Sequence, residues 1–240
     1  MTPEPILALM SVSRCFGSGA TAVRAVKRAT LSVSPGEVVA IMGPSGSCKS
    51  TLLSIMGGLL TPDTGAAIIA GQVLQRLSAR ALAQLRRMHV GFIFQNFNLL
   101  KALSALENVE LRLRLAGVSA KAARRRAAEM LQEMGLGDRA HALPRELSGG
   151  EQQRVAVARA LATSPAVILA DEPTGSLDSA NGRTVIEMIC AHTHTFGAAA
   201  VIVTHDHRVS TAVDRQLWME DGILWEPDHE QASELRACAV

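Results

Sequence analysis

The residues best suited to chemistry in this sequence form a loop of small residues that ends in a lysine. Residues 43–51 read Gly-Pro-Ser-Gly-Ser-Cys-Lys-Ser-Thr, between the apolar run Val38–Met42 and the helix-forming run Leu52–Met56. A strand, such a loop and a helix start make a cradle for an anion, because backbone N–H groups and the helix N-terminus point at it. In this cradle Lys49 would reach the terminal phosphates of a nucleotide, and the Ser50 hydroxyl would ligate Mg²⁺.

One position departs from the phosphate-loop pattern, which is Gly, four residues, Gly, Lys, and Ser or Thr. Cys48 stands where the second glycine is expected. Glycine is used where the backbone approaches a ligand closely or takes a strained conformation. The thiol would crowd the phosphates unless the loop relaxes, and the sequence leaves both outcomes open. The expected nucleotide contacts are Gly43, Pro44, Ser45, Gly46, Ser47, Cys48, Lys49, Ser50 and Thr51.

Two more apolar runs end in groups that can act on a phosphate. Val167–Ala170 is followed by Asp171 and Glu172, and Ala199–Thr204 is followed by His205. One carboxylate can support Mg²⁺ while its neighbour orients and deprotonates water, which is most of what phosphoryl transfer needs. Taken alone, the acids are most simply solvated and the histidine structural. Since ligands bind beyond the carboxyl ends of parallel strands, we expect these groups and the loop at one sheet edge.

A second candidate anion site lies at residues 148–151, Ser-Gly-Gly-Glu, where a helix begins. The Ser-x-x-Glu spacing also fits a plain capping box, and the two roles are compatible. If both cradles serve one triphosphate, the second comes from another subunit. Gln95 follows the apolar run Val90–Phe94 and is a candidate for Mg²⁺ or water. Phe16, in a predicted loop over residues 14–19, is a candidate for stacking on adenine, although loop aromatics more often pack locally.

Strands alternating with helices predict a largely parallel sheet covered on both faces. The stretch from Ala102 to Met134 has helical spacing and reads as a helical insertion. We predict one domain over residues 1–240, with a core lobe at about 5–95 and 165–225, a helical lobe at about 96–164, and a loose tail at 226–240. No apolar run approaches the ~20 residues of a membrane-spanning helix. A net charge of +2 gives no broad electrostatic case for nucleic acid.

The order of these motifs resembles that of the ATP-binding cassette (ABC) ATPases, from about Leu7 to Trp225. Residues 43–51 resemble Walker A except at Cys48, and residues 167–172 resemble Walker B with its catalytic glutamate. Gln95 resembles the Q-loop glutamine, and His205 the switch histidine. The family signature is matched by Leu147, Ser148, Gly149, Gly150 and Glu151, and the D-loop by Ser176, Leu177 and Asp178. Residues 55–59, 91–95 and 170–175 resemble the lipoprotein-releasing and macrolide-export group.

This resemblance implies a P-loop NTPase fold of the α/β class, with a mainly parallel sheet core, an antiparallel β region and a helical lobe carrying the signature. It implies an ATPase that uses ATP and Mg²⁺. It also implies a head-to-tail dimer with a second ATP-binding subunit, an identical copy in the simplest case. Integral membrane permease subunits, docked near residues 96–100, would hold the cassette at the cytoplasmic face of the inner membrane, and no nucleic acid partner is expected.

The resemblance also assigns roles to individual residues. Phe16 stacks on adenine, and Ser148 and Gly150 contact the γ-phosphate held by the opposite chain. The implied metal-site residues are Ser50, Gln95 and Asp171. The implied catalytic residues are Glu172, which polarises the attacking water, His205, which contacts the γ-phosphate, Lys49 and Gln95.

Three functional hypotheses follow. The first is the ATPase subunit of a membrane transporter of the export or lipoprotein-release type. The second is a regulatory cassette that binds ATP but hydrolyses it poorly, because Cys48 replaces the Walker A glycine. The third is a soluble cassette ATPase of DNA repair or translation. Those proteins typically carry two cassettes or long coiled-coil insertions, which this sequence lacks.

Overall fold

The chain folds into two β-sheets and a set of helices, described over residues 4–227 of a computed structural model. The strands are β1 Leu7–Phe16, β2 Val23–Val33, β3 Val38–Met42, β4 Thr64–Ile69, β5 Gln72–Val73, β6 Val90–Ile93, β7 Val167–Asp171, β8 Ala199–Thr204, β9 Arg215–Glu220 and β10 Ile223–Trp225. The α-helices are α1 Lys49–Met56, α2 Ala79–His89, α3 Ala105–Leu115, α4 Ala120–Glu133, α5 Gly149–Leu161 and α6 Ser179–Phe196.

The larger sheet has six strands in the order β10-β9-β3-β8-β7-β6, and only its β9–β10 edge is antiparallel. Every residue of β3 and β8 is buried, as expected for the inner strands of a parallel sheet. The register pairs Met42 with Thr204, Asp171 with Val203, and Ile93 with Ala170. The chain segments that follow β3, β6, β7 and β8 therefore leave the sheet at one edge.

The smaller sheet is antiparallel, in the order β2-β1-β4-β5. One hydrophobic core lies between this sheet, α1 and one face of the six-stranded sheet. A second core joins the other face of that sheet to the helices α3 to α6. The predicted combination of a mainly parallel core, an antiparallel β region and helices around the signature is confirmed.

Two local predictions are changed by the structure. The loop predicted over residues 14–19 is wrong at its start, because β1 continues to Phe16. Asp63 holds this extension, accepting bonds from the Arg14 guanidinium at 2.6 Å and from the Cys15 amide at 2.7 Å. The predicted loose tail lies, beyond Pro227, outside the described residues. Within residues 4–227, no helix has the length and apolar character needed to cross a bilayer.

Candidate nucleotide site

The loop between β3 and α1 is shaped by a glycine at one end and a buried lysine at the other. Gly43 has φ +149°, and a Cβ there would collide with the carbonyl oxygen of Met219. Lys49 is 6% exposed. Its Nζ donates to the carbonyls of Gly43 at 2.9 Å and Pro44 at 2.8 Å. Burial lowers the pKa of Lys49, and the nearby carboxylates oppose that shift. The ammonium thus lies within the loop, against its carbonyl oxygens.

Cys48 occupies the N-cap position of α1 with φ 68° and ψ 24°, in the left-handed region. Such a conformation costs a residue with a Cβ about 1–2 kcal/mol, and glycine avoids it. The thiol lies 3.6 Å from the Gly46 carbonyl oxygen, and the side chain packs on the core beneath the smaller sheet. The loop therefore keeps the left-handed backbone conformation that suits glycine, and the cysteine side chain lies against the core beside the loop.

The candidate metal-site residues meet at the carboxyl ends of β3 and β7. The Ser50 hydroxyl donates to Asp171 Oδ1 at 2.8 Å. Burial raises the pKa of Asp171, and the Ser50 hydrogen bond opposes this shift. Gln95 lies against the segment after β7, since a Cβ on Gly175 would be 3.1 Å from Gln95 Nε2. Ser50, Asp171 and Gln95 thus border one region.

Glu172 and His205 contact each other directly. Glu172 Oε1 lies 2.8 Å from His205 Nδ1, and its Oε2 accepts a bond from the Thr204 hydroxyl at 2.9 Å. Glu172 also has φ 46°, a strained value for a residue with a side chain. The strand register explains the contact, because Asp171 pairs with Val203 and both chain segments turn out of the sheet together. Thr204 was missed by the sequence prediction, although it directly precedes the candidate histidine.

The signature segment forms a complete helix cap. Ser148 Oγ accepts a bond from the Glu151 amide at 3.3 Å, and Glu151 Oε2 accepts one from the Ser148 amide at 2.7 Å. These hydrogen bonds lower the pKa of Glu151 despite partial burial. Leu147 is buried and joins the core of the helical region, and Gly150 is buried too, whereas Ser148 and Gly149 are exposed. The segment is therefore both a capping box and an accessible helix N-terminus.

Asn181 links the signature to the D-loop, and it was also missed from the sequence. The D-loop acid Asp178 caps α6, accepting from the amides of Ala180 at 3.1 Å and Asn181 at 2.9 Å. Asn181 Nδ2 donates to Asp178, and Asn181 Oδ1 accepts from Arg154 of α5 at 3.0 Å. A Cβ on Gly150 would lie 2.8 Å from the Asn181 side chain. Of the other D-loop residues, Ser176 passes close to Gly149 and Leu177 packs on the core.

Phe16 lies away from these contacts, at the end of β1. Its side chain is 41% exposed, and the Arg14 guanidinium lies 5.0 Å from the ring centroid. Phe16 pairs with Val23 of β2. Val23 in turn lines a cavity of about 440 Å³ with Gly46 and Cys48 of the phosphate loop. An aromatic ring therefore stands beside a cavity that opens onto that loop.

Taken together, the structure brings the phosphate loop, Asp171, Glu172, His205 and Gln95 to one sheet edge. Among residues 4–227, no hydrogen bond or ion pair joins the signature to the phosphate loop; its hydrogen bonds cap its own helix, and Glu151 pairs with Arg139. No group of three or more His, Cys, Asp or Glu side chains in this range could hold a metal ion. A metal here would draw on Ser50, one carboxylate and substrate oxygens, as Mg²⁺ commonly does.

The chain is similar to proteins of known class along almost its full length. The sequence profile described as ABC transporter matches residues 26–175. The lipoprotein-releasing system ATP-binding protein LolD of Shewanella frigidimarina is 44% identical over 223 residues, covering 93% of this chain and 93% of that protein. The macrolide export ATP-binding/permease protein MacB of Hyphomonas neptunium is 45% identical and covers 97% of this chain. This chain spans only 36% of that longer relative.

A solved structure is also similar. It is a dimeric, post-hydrolysis state of the ATP-binding cassette MJ0796 bound to ADP and Pi, with a TM-score of 0.85 and 40% identity. The match covers 92% of this chain and 98% of that one. The likeness therefore extends over most of the fold of both chains.

Proposed function

The chain belongs to the ABC transporter family, and from the geometry at its sheet edge we infer how it carries out the family's ATP hydrolysis. It is an ATP-binding and ATP-hydrolysing cassette of a transporter, as its relatives are. The observation that carries the proposal is the meeting of Glu172 and His205 beside the Ser50–Asp171 pair. Together they offer a general base, a phosphate contact and oxygen ligands at the mouth of a phosphate loop.

We propose that residues 43–51 hold the ATP phosphates through backbone N–H groups, while Lys49 turns its ammonium from loop carbonyls to the β- and γ-phosphates. Ser50 and Asp171 suit Mg²⁺, because both supply oxygen atoms and these lie 2.8 Å apart at a partly buried site. Gln95, two residues after the end of β6, completes this set. When bound, Mg²⁺ would neutralise charge on the transferring phosphoryl group. Phe16 covers the adenine end of the cavity that Val23 and Cys48 line.

Glu172 acts as the general base in this proposal. A carboxylate oxygen accepts more than one hydrogen bond, so Glu172 can accept from Thr204 and still take a proton from water. The bond from Thr204 holds the carboxylate in place before the substrate arrives. His205 moves from Glu172 towards the γ-phosphate, which frees Oε1 for the attacking water. Phosphoryl transfer depends mainly on such positioning and on charge stabilisation.

The signature completes the site from a second subunit. It is a helix N-terminus with Ser148 and Gly149 exposed, and within the described residues no hydrogen bond or ion pair joins it to the phosphate loop of its own chain. A similar cassette was solved as a dimer. We propose a head-to-tail homodimer, in which Ser148 and Gly150 of one copy contact the γ-phosphate held by the other. ATP then closes the dimer and hydrolysis reopens it, so the γ-phosphate biases a two-state element.

The proposed membrane partner docks in a groove beside the Gln95 loop. Leu59, Phe92 and Phe94 form apolar parts of this groove, which has a volume of about 450 Å³. It is also lined by Arg86, Arg87, Arg112 and Arg159. Within residues 4–227, none of these four arginines has a carboxylate within 4.0 Å. A permease segment with an apolar anchor and an acidic side chain would fit it, holding the cassette at the cytoplasmic face of the inner membrane.

Two other functions are weighed against specific observations. A regulatory cassette that hydrolyses poorly would be favoured if Cys48 distorted the phosphate loop, but the backbone there keeps the left-handed form that suits glycine, and the cysteine side chain packs on the core. A soluble ATPase of DNA repair or translation is not favoured by relatives named for lipoprotein release and macrolide export. The export or lipoprotein-release class is therefore our proposal.

ATPase rates of the purified chain and two variants test this proposal. We expect the native chain to hydrolyse ATP and Glu172→Gln to lower the rate by about 10²–10⁴-fold, the range for loss of a general base. Cys48→Gly should change the rate far less, because the cysteine already follows the glycine backbone form. A native chain without turnover that gains activity only in Cys48→Gly would instead identify the regulatory cassette.

A further inference from the structure

Arg208 belongs to none of the motifs of the nucleotide site, yet all three of its guanidinium nitrogens donate hydrogen bonds. Its Nε donates to Asp206 Oδ1 at 2.8 Å, and its Nη2 donates to Asp206 Oδ2 at 2.8 Å. The remaining nitrogen, Nη1, donates to the Ser179 hydroxyl at 2.6 Å. Ser179 is the first residue of α6 and follows the D-loop acid Asp178. Arg208 therefore bridges two segments: it holds Asp206 in a clamp of two hydrogen bonds and the start of α6 by one.

The clamp is tied to the catalytic end of the site. The Asp206 amide donates to the Thr204 hydroxyl at 3.0 Å, and that hydroxyl donates to Glu172 at 2.9 Å. Asp206 Oδ2 also accepts a bond from the buried Thr174 at 3.0 Å. Burial raises the pKa of Asp206, but hydrogen bonds from Arg208 and Thr174 outweigh it and the pKa is lowered. The carboxylate is therefore held ionised beside His205.

The other end of the bridge leads to the signature of the same chain. Two residues after Ser179, Asn181 contacts Gly150 and accepts a bond from Arg154 of α5. The first turn of α6 is thus bonded through Ser179 to Arg208, which follows His205 in the chain, and it contacts the signature through Asn181. In the proposed dimer, that signature serves the other ATP site. A continuous set of hydrogen bonds and contacts therefore runs from one site to the next.

We propose that Arg208 is a positioning residue that couples the two ATP sites, by making the first turn of α6 follow the segment around His205. This inference rests on the proposed function. When His205 moves to the γ-phosphate, Asp206 and Arg208 move with it, and Arg208 pulls on Ser179. The D-loop and the signature then shift together. A planar guanidinium suits this task, because its fork holds Asp206 at two points while a third nitrogen reaches Ser179.

Hydrogen exchange with and without the non-hydrolysable analogue AMPPNP and Mg²⁺ tests the coupling. The segments to follow are residues 43–51, the segment around His205, and residues 176–181. We expect the analogue to protect all three in the native chain. In Arg208→Ala the first two should still respond, while the response of residues 176–181 falls by about fivefold, the lower end of usual coupling between sites. A purely structural defect would instead speed up exchange in the absence of nucleotide, and the analogue would still protect all three segments to the same relative extent.

Arg183→Ala is the matched control, because Arg183 lines the same cavity of about 330 Å³ as Arg208 and Ser179. Among the described residues Arg183 makes no hydrogen bond or ion pair, so its loss should leave all three responses unchanged. Ser179→Ala removes only the bond to α6 and keeps the Asp206 clamp. Ser179→Ala should show the same loss of response at residues 176–181, and it provides the test on its own if Arg208→Ala does not fold. The double variant should lose little more than either single variant, because both remove the same bond.

The outcomes separate the two proposals. A native response at residues 176–181 in both Arg208→Ala and Ser179→Ala would overturn the coupling role and leave the ATPase proposal intact. An absent response at residues 43–51 in the native chain would overturn the proposed function, and the coupling role with it. Loss of the response in Arg183→Ala as well would also overturn the coupling role, because the effect would then not be specific to the Arg208–Ser179 bond.

Discussion

Two helices of this chain begin at loops that present an anion cradle, and their first turns are built in opposite ways. The N-cap of α1 is Cys48, in the left-handed region and without a side-chain cap. The N-cap of α5 is Ser148, in extended conformation and with a complete capping box. A capped turn has satisfied part of its own backbone N–H groups, whereas an uncapped turn needs a partner for them. The start of α1 is therefore the one built around a ligand.

The charges around the two helix starts also favour α1 over α5 as the anion site. The first turn of α1 holds the buried Lys49, and Asp171 and Glu172 lie nearby. The first turn of α5 carries its own negative charge on Glu151 and lies at the surface. A turn that carries an acid and no basic residue attracts a phosphate less than a turn that carries a buried lysine. This contrast supports a primary site at α1 and a secondary contact at α5 that matters only once two chains meet.

The largest expected effect separates these two sites by substitution. Lys49→Ala should lower ATP hydrolysis by about 10²–10³-fold, as loss of a charge-stabilising donor does, and should weaken nucleotide binding by the isolated chain. Ser148→Arg should also silence hydrolysis but leave binding by the isolated chain unchanged. Fluorescence titration with a labelled ATP and a steady-state ATPase assay measure the two quantities. Ser119→Arg is a matched control, since Ser119 is the N-cap of α4 without a side-chain cap bond.

Mixing the two silent chains sharpens the comparison. A heterodimer of Lys49→Ala and Ser148→Arg chains has one intact site, made of an unaltered phosphate loop and an unaltered signature. Random pairing restores roughly a quarter of all sites in an equal mixture of symmetric dimers. No recovery of ATPase activity in the mixture would contradict the assignment of the two helix starts to different subunits of one site.

The second effect concerns the stability of each helix start. Ser148→Ala removes a satisfied N-cap and should lower the free energy of unfolding by about 1 kcal/mol. Cys48→Gly relieves a left-handed backbone strain and should raise it by about 1 kcal/mol. Urea unfolding of the two variants measures both. Cys48→Ala keeps the strain and removes the thiol, so a gain there equal to that of Cys48→Gly would contradict the backbone explanation.

The contrast also shows which parts of the molecule were readable from the sequence. The apolar runs Val38–Met42 and Ala199–Thr204 were predicted with the bounds that the structure has, because fully buried parallel strands need continuous apolar residues. The Ser148–Glu151 box was also predicted, since its bonds join residues three apart. Local patterns of this kind carry their own partners within the motif.

The parts that could not be read depend on partners far along the chain. The end of β1 is held by Asp63, which lies 48 residues beyond Cys15. The Arg208–Ser179 bond joins residues 29 apart, and no spacing rule predicts it. The thiol direction at Cys48 depended on the core beneath the smaller sheet. In each case the residue type was visible from the sequence, but its contact was set by tertiary packing.

A third, smaller effect lies at Asp171. Burial raises the pKa of this carboxyl, so its ionised form destabilises the folded state at neutral pH. In buffer without nucleotide and Mg²⁺, Asp171→Asn should therefore stabilise the chain, by less than about 1 kcal/mol because solvent screens a half-exposed group. The gain should vanish as the pH falls through the raised pKa to the ordinary value. Thermal unfolding of the native chain and Asp171→Asn between pH 4 and 8 measures this gain. The lower limit lies near the ordinary carboxyl pKa of about 4.

The smallest expected effect has the opposite pH dependence and lies at the start of α5. Hydrogen bonds from Ser148 lower the pKa of Glu151, so its ionised form stabilises the fold above the ordinary glutamate value. Glu151→Gln keeps an acceptor for the Ser148 amide but removes the charge, which should cost about 0.5 kcal/mol at pH 7. This cost should shrink as the pH falls through the lowered pKa, because the native chain then loses the charge too. A cost that grew on acidification would mean that the first turn of α5 disfavours an anion, and the premise that both helix starts can bind one would then fail.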